Sequence, residues 1–233
     1  ELKRVELRRE GNQATTTVDA ILTGIGRVPA VQALDLDAAG VAFDAEAGIR
    51  VDDFLRTSNP RIYAAGDVCL EHKYTNTAEA SARIVVHNAL LFGRRRMSAL
   101  TIPWCTYTDP EIAHVGIHVR QARQRGIPVK TFTVPMHDVD RAVADSEEDG
   151  FVKIHVREGS DRILGATIVA RHAGEMINGI SLAMVAGIGL RRLARVVHAY
   201  PTQGDAIRLA AQACVTAHAS PLLAWLKRKW LRR

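Results

Sequence analysis

A carboxylate follows a short apolar segment in the first half of the chain. Residues 61–68 read Arg-Ile-Tyr-Ala-Ala-Gly-Asp-Val, so Gly66 and Asp67 come directly after a predicted buried strand. A carboxylate at the carboxyl edge of an α/β sheet lies where such folds bind ligands. Gly66 would let a ligand approach the backbone closely, and Asp67 can accept hydrogen bonds from sugar-like hydroxyl groups. The same pair also fits an ordinary turn, so this segment alone leaves a ligand site and a loop both open.

A second candidate group lies at residues 198–205, which read His-Ala-Tyr-Pro-Thr-Gln-Gly-Asp. His198 could be a ligand or a base, or a hydrogen-bonded interface histidine. Tyr200 has an ordinary pKa of about 10, so at neutral pH it is a proton or hydrogen-bond donor, or an ion contact, rather than a poised base. Asp205 follows five residues later, near the start of a predicted helix.

The elements that must position these residues are short in the first half of the chain. Apolar and charged residues alternate at the start, and a Glu10-Gly11-Asn12 turn predicts that the next strand pairs back as a hairpin. The apolar strand at 18–22 is predicted to end in a glycine turn at 23–27. In full, the pattern predicts strands at 1–9, 18–22, 49–53 and 61–65, and a helix at about 77–92.

The pattern changes after Gly93-Arg94-Arg95-Arg96, which is predicted to end the helix and mark a boundary. These arginines could touch a cofactor phosphate or could offset the helix dipole. The second half is predicted to contain strands at 103–108, 129–134, 151–156 and 162–170, and helices at 118–125, 173–186 and 204–218. Strands with helices gathered mostly afterwards predict an α+β fold with a mainly antiparallel sheet and flanking helices.

Composition excludes several classes of protein. The chain has 233 residues, 47% hydrophobic and 24% charged, with 17 Gly and 8 Pro, so it is neither disordered nor collagen-like and can bury a full core. Of the net charge of +6, five positive charges lie in residues 226–233 (LKRKWLRR), which leaves +1 for the rest. Because the basic charge is confined to the end of the chain and the Arg94 cluster, nucleic-acid binding is not predicted.

Cysteine and methionine positions give further expectations. Cys69, Cys105 and Cys214 are far apart, with no C-x-x-C pair and no histidine at ligand spacing, so neither a disulfide scaffold nor a metal site is expected. This usage favours a reducing, cytoplasmic location. Cys214 lies on an apolar helix face and is predicted to be a core residue. Because the chain starts with Glu1 and its first methionine is Met97, we expect a piece of a longer protein.

Five segments in a fixed order resemble one family. They are LTGIGRVP, TSNPRIYAAGDV, IPWCTYTDPEIAHVG, RILGATIVA and HAYPTQGD, at residues 22–29, 57–68, 102–116, 162–170 and 198–205. Their order resembles the carboxyl-terminal half of the flavin-dependent pyridine nucleotide-disulfide oxidoreductases, the family of dihydrolipoamide dehydrogenase, glutathione reductase and mercuric reductase. The resemblance covers nearly all of residues 1–219 and implies a dependence on FAD and NAD(P)H.

The resemblance also implies roles for particular residues. Gly26 and Arg27 lie in the turn that resembles the family's exit from its NAD(P)-binding domain toward the FAD site. Gly66 and Asp67 resemble the turn whose aspartate bonds the FAD ribityl chain. Thr77 and Ala78 resemble the start of the family's helix whose amino end points at the flavin, so they are implied as further cofactor contacts. Free N–H groups and the positive end of the helix dipole there would stabilise negative charge on reduced flavin.

The resemblance further implies two segments. Residues 1–98 would hold the end of the NAD(P)-binding domain and the carboxyl-terminal segment of the FAD-binding α/β domain, and residues 99–219 would form the dimerisation domain of a homodimer. Residues 220–233 lie beyond the resemblance and are predicted from their composition to be a basic amphipathic tail. The family's C-x-x-x-x-C pair and glycine-rich nucleotide loops do not occur in the sequence, so this chain alone is expected to be inactive and to hold FAD weakly at best.

The sequence departs from the family at residue 200. Dihydrolipoamide dehydrogenase and glutathione reductase have His-Pro-Thr-x-x-Glu where this chain has Tyr200, Pro201, Thr202 and Asp205. In the family, the His is the acid/base and the Glu orients it. A tyrosine at this position argues against plain dithiol exchange, and it is similar to mercuric reductases, which also carry a Tyr near this place. We therefore expect a disulfide or metal-ion oxidoreductase, in which His198, Tyr200 and Asp205 approach the partner subunit's redox centre.

The end of the chain supports an alternative function. Residues 221–233 place leucines and two tryptophans opposite lysines and arginines, the composition of an interfacial membrane helix. Such a tail could reach the inner face of a membrane, or could instead pack its apolar face on its own domain or on a dimer partner. The alternative to an oxidoreductase is therefore a non-catalytic, dimerising interaction module with a membrane-surface-binding tail.

Overall fold

The computed structural model describes residues 2–218, and the chain divides into two compact units, Glu1–Ala99 and Leu100–Arg233. Each unit has its own buried apolar residues. The predicted amphipathic tail at 221–233 lies outside the described residues. Within residues 2–218, no helix is long and apolar enough to cross a bilayer.

The first unit begins with the predicted hairpin, which is confirmed. Strands β1 (Lys3–Arg9) and β2 (Asn12–Val18) pair antiparallel, from Lys3 opposite Val18 to Arg9 opposite Asn12. Glu10 and Gly11 form the turn with φ of 49° and 85°. Two successive positive φ angles are typical of the tight hairpin turn whose twist matches that of its strands.

The strand predicted at 18–22 is wrong beyond its first residue. The ladder ends at Val18, because its partner Lys3 is the first residue of β1. Residues after Val18 therefore have no neighbouring strand to pair with, and Ile21 and Leu22 are exposed. An apolar sequence forms a strand only where another strand supplies the hydrogen bonds that its backbone needs.

The strands predicted at 49–53 and 61–65 are also mostly absent. Strand β3 (Phe43–Asp44) pairs with β4 (Gly48–Ile49), but the chain turns at Asp52, whose Oδ1 accepts the N–H groups of Phe54 and Arg56. This side chain replaces ladder partners by local hydrogen bonds, as Asp commonly does in turns. Residues 61–65 form no strand and pair only through an isolated bridge between Tyr63 and Arg56.

Helix α1 (Thr75–Leu90) is confirmed, although it begins and ends two residues earlier than predicted. It ends because Phe92 adopts a φ of 51° and Gly93 donates its N–H to the His87 carbonyl at 3.1 Å. Ile84 packs from this helix against Leu55 and Leu70. A second apolar cluster of the unit contains Val31, Leu36, Val41, Ile49 and Ala64.

The second unit contains a five-stranded antiparallel sheet, which confirms the predicted α+β class. Its strand order is β5-β6-β9-β8-β7. The strands are β5 (Trp104–Thr106), β6 (Glu111–Gly116), β7 (Val129–Pro135), β8 (Phe151–Arg157) and β9 (Ile163–Ala170). Four of the five were predicted, and β6 was missed.

Helices cover one face of this sheet. Helix α4 packs on β6 and β9, and α6 packs on β7 and β8. The helices of this unit are α2 (Val119–Gln124), α3 (Asp140–Ala144), α4 (Ala173–Val185), α5 (Leu190–Leu193) and α6 (Asp205–Ala217). The short helices α3 and α5 were not predicted. Cys214 on α6 is fully buried, which confirms it as a core residue.

Candidate functional site

The Gly66–Asp67 segment is a single 3-10 turn (Gly66–Val68) that is anchored to helix α1. The Gly66 N–H donates to Ser81 Oγ at 2.9 Å, and this hydroxyl donates in turn to the Ala78 carbonyl at 2.8 Å. Ser81 is fully buried, so water does not compete for these bonds. The turn and the first turns of α1 are therefore held together as one rigid group.

Glycine is required at position 66 by the helix beside it. Gly66 has a φ of 73°, and an added Cβ would lie 3.1 Å from the Ala78 Cβ. The sequence predicted that the missing side chain lets a ligand approach, whereas here it lets helix α1 approach. The next side chain, Asp67, is exposed, so its carboxylate is free to accept hydrogen bonds from a ligand.

The amino end of α1 offers unpaired backbone donors beside this turn. Tyr74 precedes the helix without a side-chain cap, and no acidic residue lies in the first turn. The amides of Thr75, Asn76 and Thr77 are the first three of the helix and have no intrahelical acceptor. Ala78 was also predicted to contact the cofactor, but its N–H already donates to the Tyr74 carbonyl at 2.9 Å.

Thr77 carries a second unpaired polar group. Its side chain is 2% exposed, and its Oγ1 has no hydrogen-bond partner among the residues that the structure describes. An unpaired buried hydroxyl is unusual in a folded protein and calls for an explanation. It lies in the same first turn as the three free amides, so polar groups are concentrated at this end of the helix.

The predicted residues Gly26 and Arg27 lie in the irregular segment that follows the hairpin. The Arg27 guanidinium donates a short hydrogen bond to the carbonyl of Lys73, in the loop immediately before α1. Gly26 has a φ of 125° and no neighbouring atoms within 4 Å of an added Cβ. The structure thus brings Arg27 to the loop that leads into α1, whereas the side-chain position of Gly26 faces open space.

In the second unit, Tyr200 bonds to a residue that sequence reasoning missed. Its hydroxyl donates to Asp140 Oδ2 at 2.8 Å, at the first residue of α3. This hydrogen bond and the negative charge of Asp140 raise the pKa of Tyr200 above its usual value. Sixty residues separate the two, and no spacing in the sequence signals the pair. The phenol is 73% exposed and stays protonated at neutral pH.

Asp205 is paired elsewhere. Its two carboxylate oxygens accept from Arg208 Nε at 2.6 Å and Nη2 at 2.9 Å, and this pairing lowers the pKa of Asp205. Two parallel bonds of this kind fix both partners. Asp205 therefore does not hydrogen-bond to Tyr200. His198 is half-buried, with Nδ1 3.1 Å from the Val196 carbonyl oxygen, and its ring contacts neither side chain by hydrogen bond.

Comparisons with known proteins agree with this architecture. Residues 102–211 match the model of the pyridine nucleotide-disulphide oxidoreductase dimerisation domain, and residues 2–83 match that of pyridine nucleotide-disulphide oxidoreductase. The chain belongs to the pyridine nucleotide-disulphide oxidoreductase family. Membership of this flavoprotein family implies the use of FAD and NAD(P)H.

The relatives include mercuric reductases and a second kind of flavoprotein reductase. The chain is 34% identical to mercuric reductases from Staphylococcus aureus, over 86% of this chain, and Streptomyces lividans, over 91%. It is similar in structure to the HOCl-induced flavoprotein disulfide reductase RclA from Escherichia coli, with a TM-score of 0.79, 28% identity and 90% of this chain covered. For LpdA from Mycobacterium tuberculosis the values are 0.78, 29% and 86%.

The chain spans less than half the length of these family members. It covers 37% of the S. aureus mercuric reductase, 47% of the S. lividans one, 48% of RclA and 44% of LpdA.

The donor set in the first unit fits an FAD of this family. Asp67 presents carboxylate oxygens that accept hydrogen bonds from hydroxyl groups, and the uncapped end of α1 presents N–H donors in an adjacent turn that is hydrogen-bonded to it. A flavin with a sugar-like ribityl chain needs both kinds of partner. No group of three or more His, Cys, Asp or Glu side chains in residues 2–218 is arranged to hold a metal ion.

Proposed function

We propose that this chain is the carboxyl-terminal part of a flavin-dependent, NAD(P)H-linked oxidoreductase, and that it supplies the dimer interface and one side of the FAD site. The observation that carries the proposal is the Gly66–Asp67 turn, hydrogen-bonded through Ser81 to the amino end of α1. A non-catalytic dimerisation module has no use for this arrangement, so it favours the oxidoreductase over the alternative.

Two features of the first unit would hold the cofactor. The Asp67 carboxylate would accept hydrogen bonds from ribityl hydroxyls. The amides of Thr75, Asn76 and Thr77 would donate to the electron-rich edge of the flavin, where the helix dipole favours negative charge. Bound FAD would relay electrons from NAD(P)H to the acceptor. The helix end would thus favour the reduced, negatively charged state of the ring system.

The acceptor is proposed to be a metal ion or a disulfide, with the metal ion favoured. A phenol whose pKa is raised cannot remove a proton from a thiol at neutral pH, which opposes a simple dithiol-exchange cycle. Tyr200 can still donate a hydrogen bond or contact a cation that is bound by thiolates. The similarity to mercuric reductases supports a substrate of this type.

The second unit is proposed to form a homodimer. It exposes large apolar side chains, of which Leu182 is 68%, Val185 71% and Val197 96% exposed. Apolar side chains at this exposure favour association, because burial removes them from water. We expect a dimer in sedimentation velocity, and a monomer for the double variant Leu182→Lys, Val185→Lys. A monomeric parent chain at micromolar concentration would refute the dimer.

We further propose that the protein is cytoplasmic and that residues 221–233 contact a membrane surface. Three reduced cysteines among the described residues support the first proposal, and the composition of the tail supports the second. Co-sedimentation with anionic vesicles, with and without residues 221–233, tests the membrane contact. Equal sedimentation of the two chains would refute it.

Asp67 provides the test of the proposed FAD site. In the intact protein, Asp67→Ala should lower the flavin-to-protein absorbance ratio, whereas Asp149→Ala, at an exposed aspartate of the second unit, should leave it unchanged. Asp67→Asn should retain part of the flavin, because the amide oxygen still accepts a hydrogen bond. An unaltered flavin content in Asp67→Ala would refute the assignment. An intact protein with no C-x-x-x-x-C pair and no glycine-rich nucleotide loops would refute the oxidoreductase itself.

A further inference from the structure

A separate cavity lies at the other end of helix α1. It has a volume of about 250 Å³ and opens beside the ring of Phe54. Its walls are aromatic, cationic and amide side chains of the first unit together with one glycine: Phe54, Arg56, Tyr63, Asn88, Phe92, Gly93 and Arg94. Helix α1 has 16 residues, so its two ends are roughly 24 Å apart. The cavity is therefore distinct from the proposed FAD contacts.

Three guanidinium groups gather around one aromatic ring at this cavity. The Cζ atoms of Arg56, Arg94 and Arg96 lie 5.1, 5.9 and 5.4 Å from the centroid of Phe54. The ring attracts each of them through its negative faces, and this attraction offsets part of their mutual repulsion. Guanidinium groups held in this way present planar, multi-donor edges of the kind that bind phosphate oxygens.

The positive charge of the cluster is only partly neutralised. Arg56 lies 3.2 Å from a carboxylate oxygen of Asp52, and Arg96 lies 3.9 Å from one of Asp53. Arg94, which lines the cavity, has no carboxylate partner among residues 2–218. The site thus has a net positive charge and a guanidinium whose donors are available to an anion.

The backbone around the cluster is fixed by a buried amide. Asn88, which is 9% exposed, donates from Nδ2 to the carbonyl oxygens of Phe54 at 3.2 Å and Arg95 at 2.8 Å. Its Oδ1 accepts the Arg95 N–H at 2.8 Å. One side chain therefore joins α1, the segment of Phe54 and the arginine segment. Because the backbone of the arginine segment is already ordered, binding of a ligand costs less conformational entropy of the protein.

The helix dipole opposes an anion here, but by less than the arginines favour it. The carboxyl end of a helix is its negative end, and the dipole changes the affinity for a nearby charge by a factor of about two to five. A hydrogen bond from a charged donor to an anion changes it by about ten-fold or more. With Arg94 and Arg56 both lining the cavity, the attraction exceeds the repulsion.

We propose that this cavity binds a small phosphate monoester with a planar organic group. The guanidinium groups would bind the phosphate, and Tyr63 and Phe92 would contact the organic part. The volume sets the size of the ligand, because it is slightly below the range of about 300–1,000 Å³ that holds drug-sized molecules.

Isothermal titration calorimetry on the 233-residue chain tests the proposal, with phenyl phosphate, inorganic phosphate and benzyl alcohol as probes. We expect phenyl phosphate to bind with a Kd of about 1 mM, inorganic phosphate more weakly, and benzyl alcohol not at all. Affinity should fall as salt is added, since the attraction is electrostatic. Absence of phenyl phosphate binding, or equal binding of benzyl alcohol, would overturn the proposal.

Variants locate the binding site. Arg94→Gln and Arg56→Gln should each weaken phenyl phosphate binding by about ten-fold or more, and Arg94→Lys should weaken it less, because it keeps the charge and loses the fork. Arg83→Gln is the matched control, since Arg83 is an exposed arginine of α1 paired with Glu79. Circular dichroism shows whether each variant is folded. Unchanged affinity in folded Arg94→Gln, or equal losses in Arg83→Gln, would refute this site.

Discussion

Two buried histidines make the second unit sensitive to mild acid. His114 on β6 is 2% exposed, and His155 on β8 is 3% exposed. His114 Nδ1 lies 2.9 Å from Thr167 Oγ1, and its Nε2 lies 3.1 Å from the Gly116 carbonyl oxygen. A neutral ring with its proton on Nε2 satisfies both contacts, because the threonine hydroxyl then donates to Nδ1.

Burial lowers the pKa of both rings from 6.5 to about 4. The nearby charges act in the same direction, chiefly His118 on His114, and Lys153 on His155. The ring of His118 stacks on that of His114 with centroids 3.6 Å apart, so the two cannot both be charged without strong repulsion. The folded protein therefore excludes protons that the unfolded chain binds.

The sign and size of the effect follow from linkage. Because the folded pKa is depressed, the full stability is present above pH 6.5, where both states are neutral, and it is lost as the pH falls from 6.5 to 4. At pH 5 the loss is at most about 2 kcal/mol per ring. Solvent that reaches the rings on charging reduces this to about 1 kcal/mol each. The aspartates with lowered pKa values, such as Asp53 and Asp205, contribute stability that is lost mainly below about pH 5.

Urea unfolding at pH 7.5 and pH 5.0 measures this loss, and the histidine C2–H resonances give the two pKa values directly. We expect the free energy of unfolding to fall by about 2 kcal/mol in total between these pH values. His155→Asn should roughly halve the difference, and His72→Asn, at an exposed histidine of the first unit, should preserve it. Equal stability at the two pH values, or ring pKa values near 6.5, would show that the reasoning is wrong.

Three further predictions concern single side chains. Gly66→Ala should destabilise the first unit by at least about 1 kcal/mol in urea unfolding, because of its φ of 73° and the 3.1 Å approach to Ala78; no loss would contradict the packing role. Asp140→Asn should lower the pKa of Tyr200 in tyrosinate absorbance titrations, with Tyr200→Phe identifying the signal; an unchanged pKa would exclude their hydrogen bond. Ile154→Ala should cost about 2–5 kcal/mol of unfolding free energy, and a smaller loss would mean that the core collapses around it.

Elements with a regular pattern could be predicted from the sequence. Val152, Ile154 and Val156 are spaced two apart in β8 and are fully buried, and the polar or charged residues Lys153 and His155 stand between them in the sequence. Period-two alternation reports one buried face, so it identifies a strand without any knowledge of its neighbours. Helices α4 and α6 were found in the same way, because an apolar stripe at helical spacing is also a local property.

Elements whose pattern depends on distant partners could not be predicted. Strand β6 was missed because His114 interrupts its apolar residues, and the residue that satisfies His114, Thr167, is 53 positions away. The opposite error occurred at 61–65, where an apolar run predicted a strand. Within residues 2–218 that run forms no strand and pairs only through the bridge between Tyr63 and Arg56.

The candidate site has the same limit. The family resemblance implied an orienting carboxylate at residue 205 and left open whether the shorter Asp205 reaches Tyr200, but Asp205 is occupied by two hydrogen bonds from Arg208. Breaking this pair to free the Asp205 carboxylate would leave the charge of Arg208 unpaired, and this favours Asp140 as the hydrogen-bond partner of the phenol. Asp140 accepts a hydrogen bond from the Tyr200 hydroxyl, and a carboxylate in this role opposes phenolate formation. If the intact protein uses Tyr200, the phenol therefore acts as a hydrogen-bond donor or as a contact for a cation. A thiol that has to be deprotonated needs a different residue as its base.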